Sequence, residues 1–285
     1  MKFGMNVPIF GEYGDVRLLA ELATEAEAAG WDGFWIWDHV HWSGEDDGRP
    51  RQPMVDPVVA LTLIAAATER VRLGPMVLPL ARRRPWKVAR ELATLDHLSG
   101  GRLTIGVGLG APAGLEFGDF GEPTEARARA AKLDEGLEVL TGLWTGRPFD
   151  YAGEHYHLIM AEMLPRPVQD PVPVWVGGEW PNRPPFRRAA RFAGVHPMLP
   201  GLPLADQPAA IRDLVDYIAR LRGTDQPFDV AYGVDTAGDG GQADRTLVHR
   251  FAEAGVTWWM EPISQWRGSL AEIRDRIRRG PPAAG

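Results

Sequence analysis

Residues 33–42 read GFWIWDHVHW and carry the signal on which the fold prediction rests. An apolar, aromatic run long enough for one strand follows Gly33 and stops at an acid, two histidines and a tryptophan. Apolar runs of this kind are typical of strands buried on both faces, as in parallel sheets. In such sheets the functional residues gather where the strands end. The stretch therefore predicts a strand over residues 34–39 and a candidate site at its end.

Outward from this stretch, short apolar runs alternate with amphipathic helices in both directions. Asp15 can cap the first helix, Pro85 suits the first turn of a later one, and Ser269 with Glu272 has the spacing of a capping box. The eight predicted strands cover residues 3–9, 34–39, 71–78, 103–109, 173–179, 194–199, 229–235 and 256–263. Eight strand–helix units in a chain of this size predict a protein of the α/β class with a closed parallel (β/α)8 barrel of the TIM type. An open doubly wound sheet fits this pattern less well.

Three connecting segments are predicted separately. Residues 146–171 are expected to form an extended excursion because Pro165, Pro167 and Pro171 restrict the backbone before them. The helix after the fifth strand is expected to start after Pro184-Pro185. A polar loop rich in Gly, Asp and Pro is expected after residue 42.

Length and composition limit the function classes. The chain has 285 residues, of which 45% are hydrophobic and 24% charged, so it can bury a large core. No linker or low-complexity run divides it, which predicts one domain over residues 1–285. The absence of cysteine excludes disulfide scaffolds, thiolate metal sites and thiol nucleophiles. A net charge of −7 argues against nucleic acid or an acidic membrane as the main partner. No long apolar segment is present, and we therefore expect a cytoplasmic protein.

A closed parallel barrel would bring the ends of its strands to one mouth, where the active sites of such barrels lie. The residues at the predicted strand ends are Asn6, Asp38, His39, Met76, Gly108, Gly178, His196, Asp235 and Glu261. In the fourth strand, glycines at 106, 108 and 110 fall on one face. Such a face predicts either a flat group that presses on it or tight packing inside the barrel.

Several blocks of this sequence resemble a known family. They include Leu73-Gly74, Arg84-Pro85, residues 93–102 (ATLDHLSGGR), Gly106-x-Gly108, Arg129, Pro165-Arg166-Pro167 and Val176-Gly177-Gly178. In this order and spacing the blocks resemble the bacterial-luciferase-like flavin-dependent oxidoreductases. The resemblance covers most of residues 1–200 and is weak beyond them.

The resemblance implies a barrel that holds a flavin-type ring at its C-terminal mouth. In that family a non-proline cis peptide commonly supports the ring at the end of the third strand, which here falls within residues 75–78. The cofactor contacts implied are Asn6, Met76, Val77, Gly108, Arg129, Gly177, Gly178 and Glu179. The sequence departs from the luciferases themselves, which have an arginine in place of Gly108 and hydroxyl side chains in place of Pro181 and Asn182. Arg129 could instead be a solvated helix residue.

The resemblance also bears on the identity of the ring and on the chemistry. Asp38-His39 with Trp42 nearby is more similar to members that use the deazaflavin coenzyme F-420 than to those that use FMN, so F-420 is preferred and FMN is retained. Asp38 and His39 are the candidate catalytic residues, for hydride transfer to a small organic substrate or its monooxygenation. The candidate substrate residues are His41, Trp42, Trp180, His196 and Glu261. Because relatives often dimerise, a homodimer is also considered.

Two other readings stay open. His39-x-His41 at a strand end also resembles the paired histidines of metal-dependent amidohydrolases, and a flavin-binding barrel without catalytic activity fits the same pattern. The run Arg82-Arg83-Arg84 could meet the acidic tail of F-420 or form a solvated face. Trp42, Trp180, Trp258, Trp259 and Trp266 predict either an aromatic mouth or ordinary packing.

Overall fold

The computed structural model describes residues 1–42 and 52–282, within which ten strands occur. They are β1 (Lys2–Val7), β2 (Gly33–Ile36), β3 (Arg72–Pro75), β4 (Ile105–Val107), β5 (Phe149–Ala152), β6 (His157–Ala161), β7 (Val174–Glu179), β8 (Gly194–Met198), β9 (Asp229–Tyr232) and β10 (Trp258–Pro262). The loop that the sequence predicts after residue 42 falls on residues 43–51, outside the described residues.

Eight of these strands form one parallel sheet that curls into a barrel. Their order is β3-β2-β1-β10-β9-β8-β7-β4, and every paired neighbour is parallel. Single bridges between Leu73 and Leu103 and between Leu78 and Val107 join β3 to β4 and nearly close the ring. The parallel (β/α)8 barrel that the sequence predicts is therefore confirmed.

The helices begin where the sequence provides side-chain caps. The described helices are α1 (Val16–Ala28), α2 (Pro57–Ala67), α3 (Pro85–Ser99), α4 (Ala113–Glu116), α5 (Ala126–Trp144), α6 (Arg183–Ala189), α7 (Gln207–Leu221), α8 (Gln242–Glu253) and α9 (Leu270–Arg278). Asp15 accepts a hydrogen bond from the amide of Arg17, and Ser269 forms the expected capping box with Glu272. None of the described helices is long and apolar enough to cross a membrane.

Two of the predicted connections differ from the structure. Residues 146–171 form the predicted excursion, but the chain reverses within it, because the extended segments β5 and β6 pair as an antiparallel hairpin that was not predicted. Helix α6 begins at Arg183, earlier than predicted, since prolines are tolerated in a first helical turn where no amide hydrogen bond is lost. Several strands are also shorter than predicted. Strand β2, for example, ends at Ile36 and not at His39, because the chain departs from regular strand pairing there.

Three tryptophans fill the barrel interior below the mouth. The ring centroids of Trp35 lie 5.0 Å from Trp175 and 5.1 Å from Trp258, and those of Trp175 and Trp258 lie 5.5 Å apart. Each of the three rings is at most 2% exposed. Glycines make room for them: a Cβ atom on Gly4 of the adjacent strand β1 would lie 2.6 Å from the ring of Trp35, and one on Gly33, on β2 itself, would overlap the same ring. We call this cluster the tryptophan plug.

The contact between Gly33 and the tryptophan plug generates a stability prediction. We expect Gly33→Ala to lower the free energy of unfolding by about 1–3 kcal/mol, because the new methyl group must displace a ring that two other tryptophans hold in place. The matched control is Gly223→Ala, at an exposed position where a Cβ atom would meet nothing within 4 Å. This control should be neutral or slightly stabilising. Urea unfolding of both variants measures the difference, and equal stabilities would show that the plug tolerates the methyl group.

Candidate active site

A cavity of about 520 Å³ opens at the C-terminal ends of the barrel strands, above the tryptophan plug. This volume lies within the usual range for small-molecule and cofactor sites. The residues predicted from sequence that line it are Asn6, Asp38, His39, Met76, Val77, Gly108, Arg129, Gly177, Gly178, Glu179 and His196. Trp37, Pro79, Leu109, Gly110, Ala111, Ala126, Asn182, Pro185 and Met198 complete the lining.

Glu261 does not line this cavity, contrary to the predicted substrate contact. Its carboxylate is fully buried and accepts hydrogen bonds from Thr236, Trp259 and Arg267. Arg267 also lies 3.6 Å from Asp235, the other strand-end acid on this side. Glu261 therefore has a structural role. It joins β10 to the loop after β9 through Thr236 and to the segment after β10 through Arg267.

Of the other four predicted substrate residues, His196 lines the cavity, whereas His41, Trp42 and Trp180 do not. Nε2 of His41 is 3.5 Å from Asp119, and its ring packs on Phe120. Trp42 stacks on Phe10 with ring centroids 4.9 Å apart. Trp180 packs against Phe186 and the guanidinium of Arg183. His39 and His41 thus have different partners, and among the described residues no group of three His, Cys, Asp or Glu side chains could hold a metal ion.

His39 is held by a carboxylate that sequence reasoning missed. Its Nδ1 lies 2.9 Å from Oε1 of Glu116, which is 1% exposed on the short helix α4. The amide of Val40 donates to the other oxygen of Glu116 at 3.3 Å. A carboxylate accepts from the protonated ring nitrogen, so Nδ1 carries a proton in this pair. Nε2 makes no hydrogen bond with any described residue and is the nitrogen left for a ligand.

Asp38 belongs to a buried ion-pair network beside His39. Oδ1 of Asp38 accepts from Arg82 and, at 2.9 Å, from Arg83, while Arg82 also pairs with Glu116. Oδ2 of Asp38 is buried and has no hydrogen-bond partner among the described residues. Arg82 and Arg83 are therefore not a solvated face, since their charges offset the two carboxylates. The catalytic role of Asp38 stays a prediction.

His196 presents a second imidazole to the cavity. Its Nδ1 lies 2.9 Å from the carbonyl oxygen of Ala231 on the adjacent strand, to which it donates a proton. Burial lowers the pKa of His196, because the charged imidazolium loses hydration there. The ring is therefore neutral at neutral pH, and its Nε2 can accept a hydrogen bond.

The peptide bond between Met76 and Val77 is cis, within the four residues in which the resemblance places it. Glycines on the facing strands leave room for this bend: a Cβ atom on Gly108 or on Gly177 would lie 2.8 Å from a methyl group of Val77, and one on Gly106 would lie 2.5 Å from Sδ of Met76. The glycine face in β4 is thus tightly packed against Met76 and Val77, while Gly108 and Gly110 also line the cavity, so a flat group on this face stays a prediction. Gly178 is different, because its missing side chain leaves room for Pro185.

Arg129 places an arginine without a carboxylate partner at the cavity wall. It is 7% exposed and donates to the carbonyl oxygens of Leu109 at 2.8 Å, Gly110 at 2.7 Å and Thr124 at 3.1 Å. No described carboxylate lies within ion-pair distance. Burial lowers the pKa of the guanidinium, yet an arginine stays charged at neutral pH. The alternative of a solvated helix residue is therefore wrong, and this charge can meet an anionic group.

Two lining or supporting residues were missed for different reasons. Glu116 lies 77 residues from His39 at the end of α4, a helix too short for a periodic pattern to identify it. Trp37 could have been found, because residues 35, 37 and 39 share one face of an extended chain. Trp35 lies in the tryptophan plug and His39 lines the cavity, so Trp37 is expected between the plug and the cavity mouth.

Comparisons with known proteins agree with this architecture. A protein family described as luciferase-like monooxygenase matches residues 1–281. An uncharacterized protein of Mycobacterium tuberculosis is 31% identical over 231 residues, which cover 76% of each chain. An F-420-dependent glucose-6-phosphate dehydrogenase of Nakamurella multipartita is 36% identical over 62% of this chain and 49% of its own length. The chain thus spans about half the length of that relative.

Two solved structures share the fold over nearly all of this chain. An F-420-dependent secondary alcohol dehydrogenase, in complex with an F-420–acetone adduct, superposes with a TM-score of 0.79 at 19% identity and covers 100% of this chain and 99% of its own. A monooxygenase from Streptomyces bottropensis has a TM-score of 0.64 at 27% identity and covers 98% and 84%.

The lowered pKa of His196 predicts a pH effect on stability. Between its folded pKa and the value of about 6.5 usual for an unfolded chain, the unfolded state binds more protons. The stability conferred by the neutral ring is therefore complete above about pH 6.5 and is lost as the pH falls towards the folded pKa. His196→Asn keeps a donor for Ala231 and removes the titration. Urea unfolding at about pH 7.5 and about pH 5.5 should show a smaller loss in the variant than in the wild type.

The control for this experiment is His157→Asn, at an exposed histidine on β6. This variant should keep the pH dependence of the wild type. Identical pH dependence in His196→Asn and the wild type would contradict the assignment of a buried, neutral His196.

Proposed function

Because this chain belongs to the luciferase-like monooxygenase family, we propose that it is an oxidoreductase that binds coenzyme F-420 in its central cavity and transfers a hydride between that coenzyme and a small organic substrate. One observation carries the proposal: the ring of His39, fixed by Glu116, lines the same cavity as the cis peptide of Met76 and Val77. A proton-transferring group and the backbone bend that supports a flavin-type ring in the family thus share one site.

The cavity fits such a coenzyme on three counts. Its volume suits a tricyclic ring with part of a side chain. Arg129, one of the cofactor contacts that the resemblance implies, supplies a positive charge that no described carboxylate neutralises. Oδ1 of Asn6, a predicted cofactor contact that lines the cavity, is buried without a hydrogen-bond partner among the described residues. Such an atom is usually satisfied by a ligand or an ordered water.

The charge of the cavity supports F-420 over FMN. The phosphate of FMN is a monoester that carries between one and two negative charges near neutral pH, as other phosphomonoesters do. In F-420 the phosphate is a diester and carries one. Arg129 is the one arginine or lysine among the residues that line the cavity, and one cation matches the single charge of a phosphodiester group better than the charge of a monoester. The curated relatives named as F-420-dependent point the same way.

The residues of this chain supply the proton chemistry. When bound, the coenzyme accepts or donates a hydride at its ring. Nε2 of His39 can take the proton of a substrate hydroxyl or return it to a carbonyl oxygen, since Nδ1 is committed to Glu116. Glu116 also fixes the orientation of the imidazole. Arg82 and Arg83 balance the two buried carboxylates, so the network can remain ionised without a net charge.

Titration of the purified protein with F-420 and with FMN tests the cofactor assignment. We expect F-420 to bind at least about tenfold more tightly, a difference of about 1.4 kcal/mol, as measured by quenching of cofactor fluorescence. Tighter binding of FMN would contradict the choice of F-420, and failure to bind either would contradict the proposed function.

The same titration with Arg129→Gln tests the phosphate contact. Affinity for F-420 should fall about tenfold or more, whereas affinity for its unphosphorylated deazaflavin chromophore should change much less, because a charge-assisted hydrogen bond is lost only with the phosphate. The matched control is Arg127→Gln, at an exposed position on the same helix. Equal losses for both ligands would show that Arg129 acts only on the fold of its loop.

His39→Asn tests the proton transfer. Asparagine keeps a donor for Glu116 but has no titrating group, so coenzyme binding should survive while turnover falls by roughly 10²–10⁴-fold. Steady-state kinetics with a competent substrate measures the change. Glu116→Gln should lower turnover as well, because the ring loses the charged partner that fixes it. Wild-type turnover in His39→Asn would return this histidine to a structural role.

A further inference from the structure

The cavity has two chemically different halves. The ends of β3, β4 and β7 form the half that we assign to the coenzyme, with Arg129 at its wall. The ends of β1, β2 and β8 form the other half, which we call the substrate half. Its lining residues are Asn6, Trp37, Asp38, His39, His196 and Met198.

The substrate half contains no arginine or lysine among the described residues that line the cavity. The nearest arginines, Arg82 and Arg83, are already paired with Asp38 and Glu116. Asp38 itself lines the cavity, and Glu179 adds a second carboxylate between the two halves. A phosphate or carboxylate placed here would lose its hydration without meeting an unpaired cation among the described residues, which is strongly unfavourable.

Trp37 gives the substrate half an apolar wall that is held in place from behind. Its ring centroid lies 5.6 Å from Phe10, which is fully buried, and 6.0 Å from Trp266 in a stacked arrangement. The ring of His39 lies 5.8 Å away on the cavity side. A ligand whose oxygen meets Nε2 of His39 therefore places its carbon substituents beside the indole.

Resting on the proposed function, we infer that the substrate half takes an uncharged alcohol, or the corresponding carbonyl compound, that carries an apolar substituent, and that Trp37 is the residue that selects it. The orphaned polar atoms of the wall are one acceptor, Oδ1 of Asn6, and one donor, Nε1 of Trp37. A donor and an acceptor match a neutral oxygen compound, whereas an anion would need several donors or a cation.

The reaction that this assignment implies is balanced within the proposed site. Oxidation breaks the C–H bond of the carbon that carries the hydroxyl group and the O–H bond of that hydroxyl. The C–O bond becomes a C=O bond. The hydride, with both electrons, passes to oxidised F-420, and the hydroxyl proton passes to Nε2 of His39. The reverse reaction returns both to the carbonyl compound. No further oxidant or reductant is needed.

A substrate panel tests the class of compound. The wild-type protein with oxidised F-420 is assayed with 2-butanol, cyclohexanol and 1-phenylethanol, and with glucose 6-phosphate and glycerol 3-phosphate. We expect saturable F-420 reduction with one or more of the neutral alcohols and none with the two phosphates. Turnover of either phosphate at a kcat/KM equal to or above that of the best alcohol would overturn the inference, as would an absence of turnover with every alcohol.

Variants of Trp37 test its role in selection. Trp37→Ala should raise KM for 1-phenylethanol about 10- to 100-fold, because a large apolar contact is lost, while kcat and the affinity for F-420 change little. Trp37→Phe should recover most of that loss, since it keeps an aromatic wall. Trp86→Ala, at an exposed tryptophan on α3, is the matched control and should behave as the wild type. A fall in kcat or in F-420 affinity with unchanged KM would show that Trp37 has no part in substrate selection.

A charge can be added to test the exclusion of anions directly. Met198 lines the cavity and is 44% exposed, so Met198→Lys places a cation in the substrate half without burying it. This variant should gain measurable binding of glucose 6-phosphate. Ile159→Lys makes the same change of charge on the hairpin strand β6, where the side chain is 88% exposed, and should gain none. Equal behaviour of the two variants would contradict the electrostatic argument.

The substrate inference and the proposed function can fail separately. If the protein binds neither F-420 nor FMN, the proposed function fails. Saturation-transfer NMR then measures which compounds bind to the substrate half of the protein without a cofactor. Binding of 1-phenylethanol but not of glucose 6-phosphate, with loss of the signal in Trp37→Ala, supports the inference. Binding of the phosphate, or a signal that Trp37→Ala does not change, overturns it.

Discussion

The packing of three tryptophan rings inside the barrel is the constraint on which the rest of the structure depends. Trp35, Trp175 and Trp258 come from three different strands, and their rings are within 5.5 Å of one another. Their combined volume is accommodated because glycines line the barrel interior around the rings, where even a Cβ atom would collide with a ring. The plug therefore sets the floor of the cavity, and the chemistry is confined to the layer above it.

Above this floor, charge and apolar surface are separated around the mouth. On the side of His39, the carboxylates of Asp38 and Glu116 lie behind the cavity wall. Arg82 and Arg83 offset their charges, so this network adds little net charge beside the histidine. The opposite side holds Arg129, whose charge no described carboxylate balances. The pairing of the arginines thus makes the side that we propose for the substrate nearly neutral, and leaves a positive charge on the side that we propose for the coenzyme.

Much of this fold could be predicted from sequence because its determinants are local. Asp15, Ser269 with Glu272, and the glycine that ends α3 at position 100 mark helix ends through contacts within a few residues. The determinants of the site are not local. Glu116 reaches His39 across 77 residues, and Arg82 reaches Asp38 across 44. An aromatic residue near a barrel mouth can face either a ligand or the protein, and the sequence does not distinguish the two. Trp42 and Trp180, which the sequence predicts as substrate contacts, both pack on protein.

The register of the barrel also has a consequence for synthesis on the ribosome. Strand β1 pairs with β10, so that Lys2 lies opposite Trp258 and Asn6 opposite Pro262, and the third ring of the plug arrives only with β10. At the usual elongation rate of 5–20 residues per second, β1 emerges roughly 10–50 s before the strand that completes its pairing. Until Trp258 emerges, the plug lacks its third ring even after Trp175 has joined Trp35. The edge of β1 that pairs with β10 therefore stays open to other chains until the last strand has emerged.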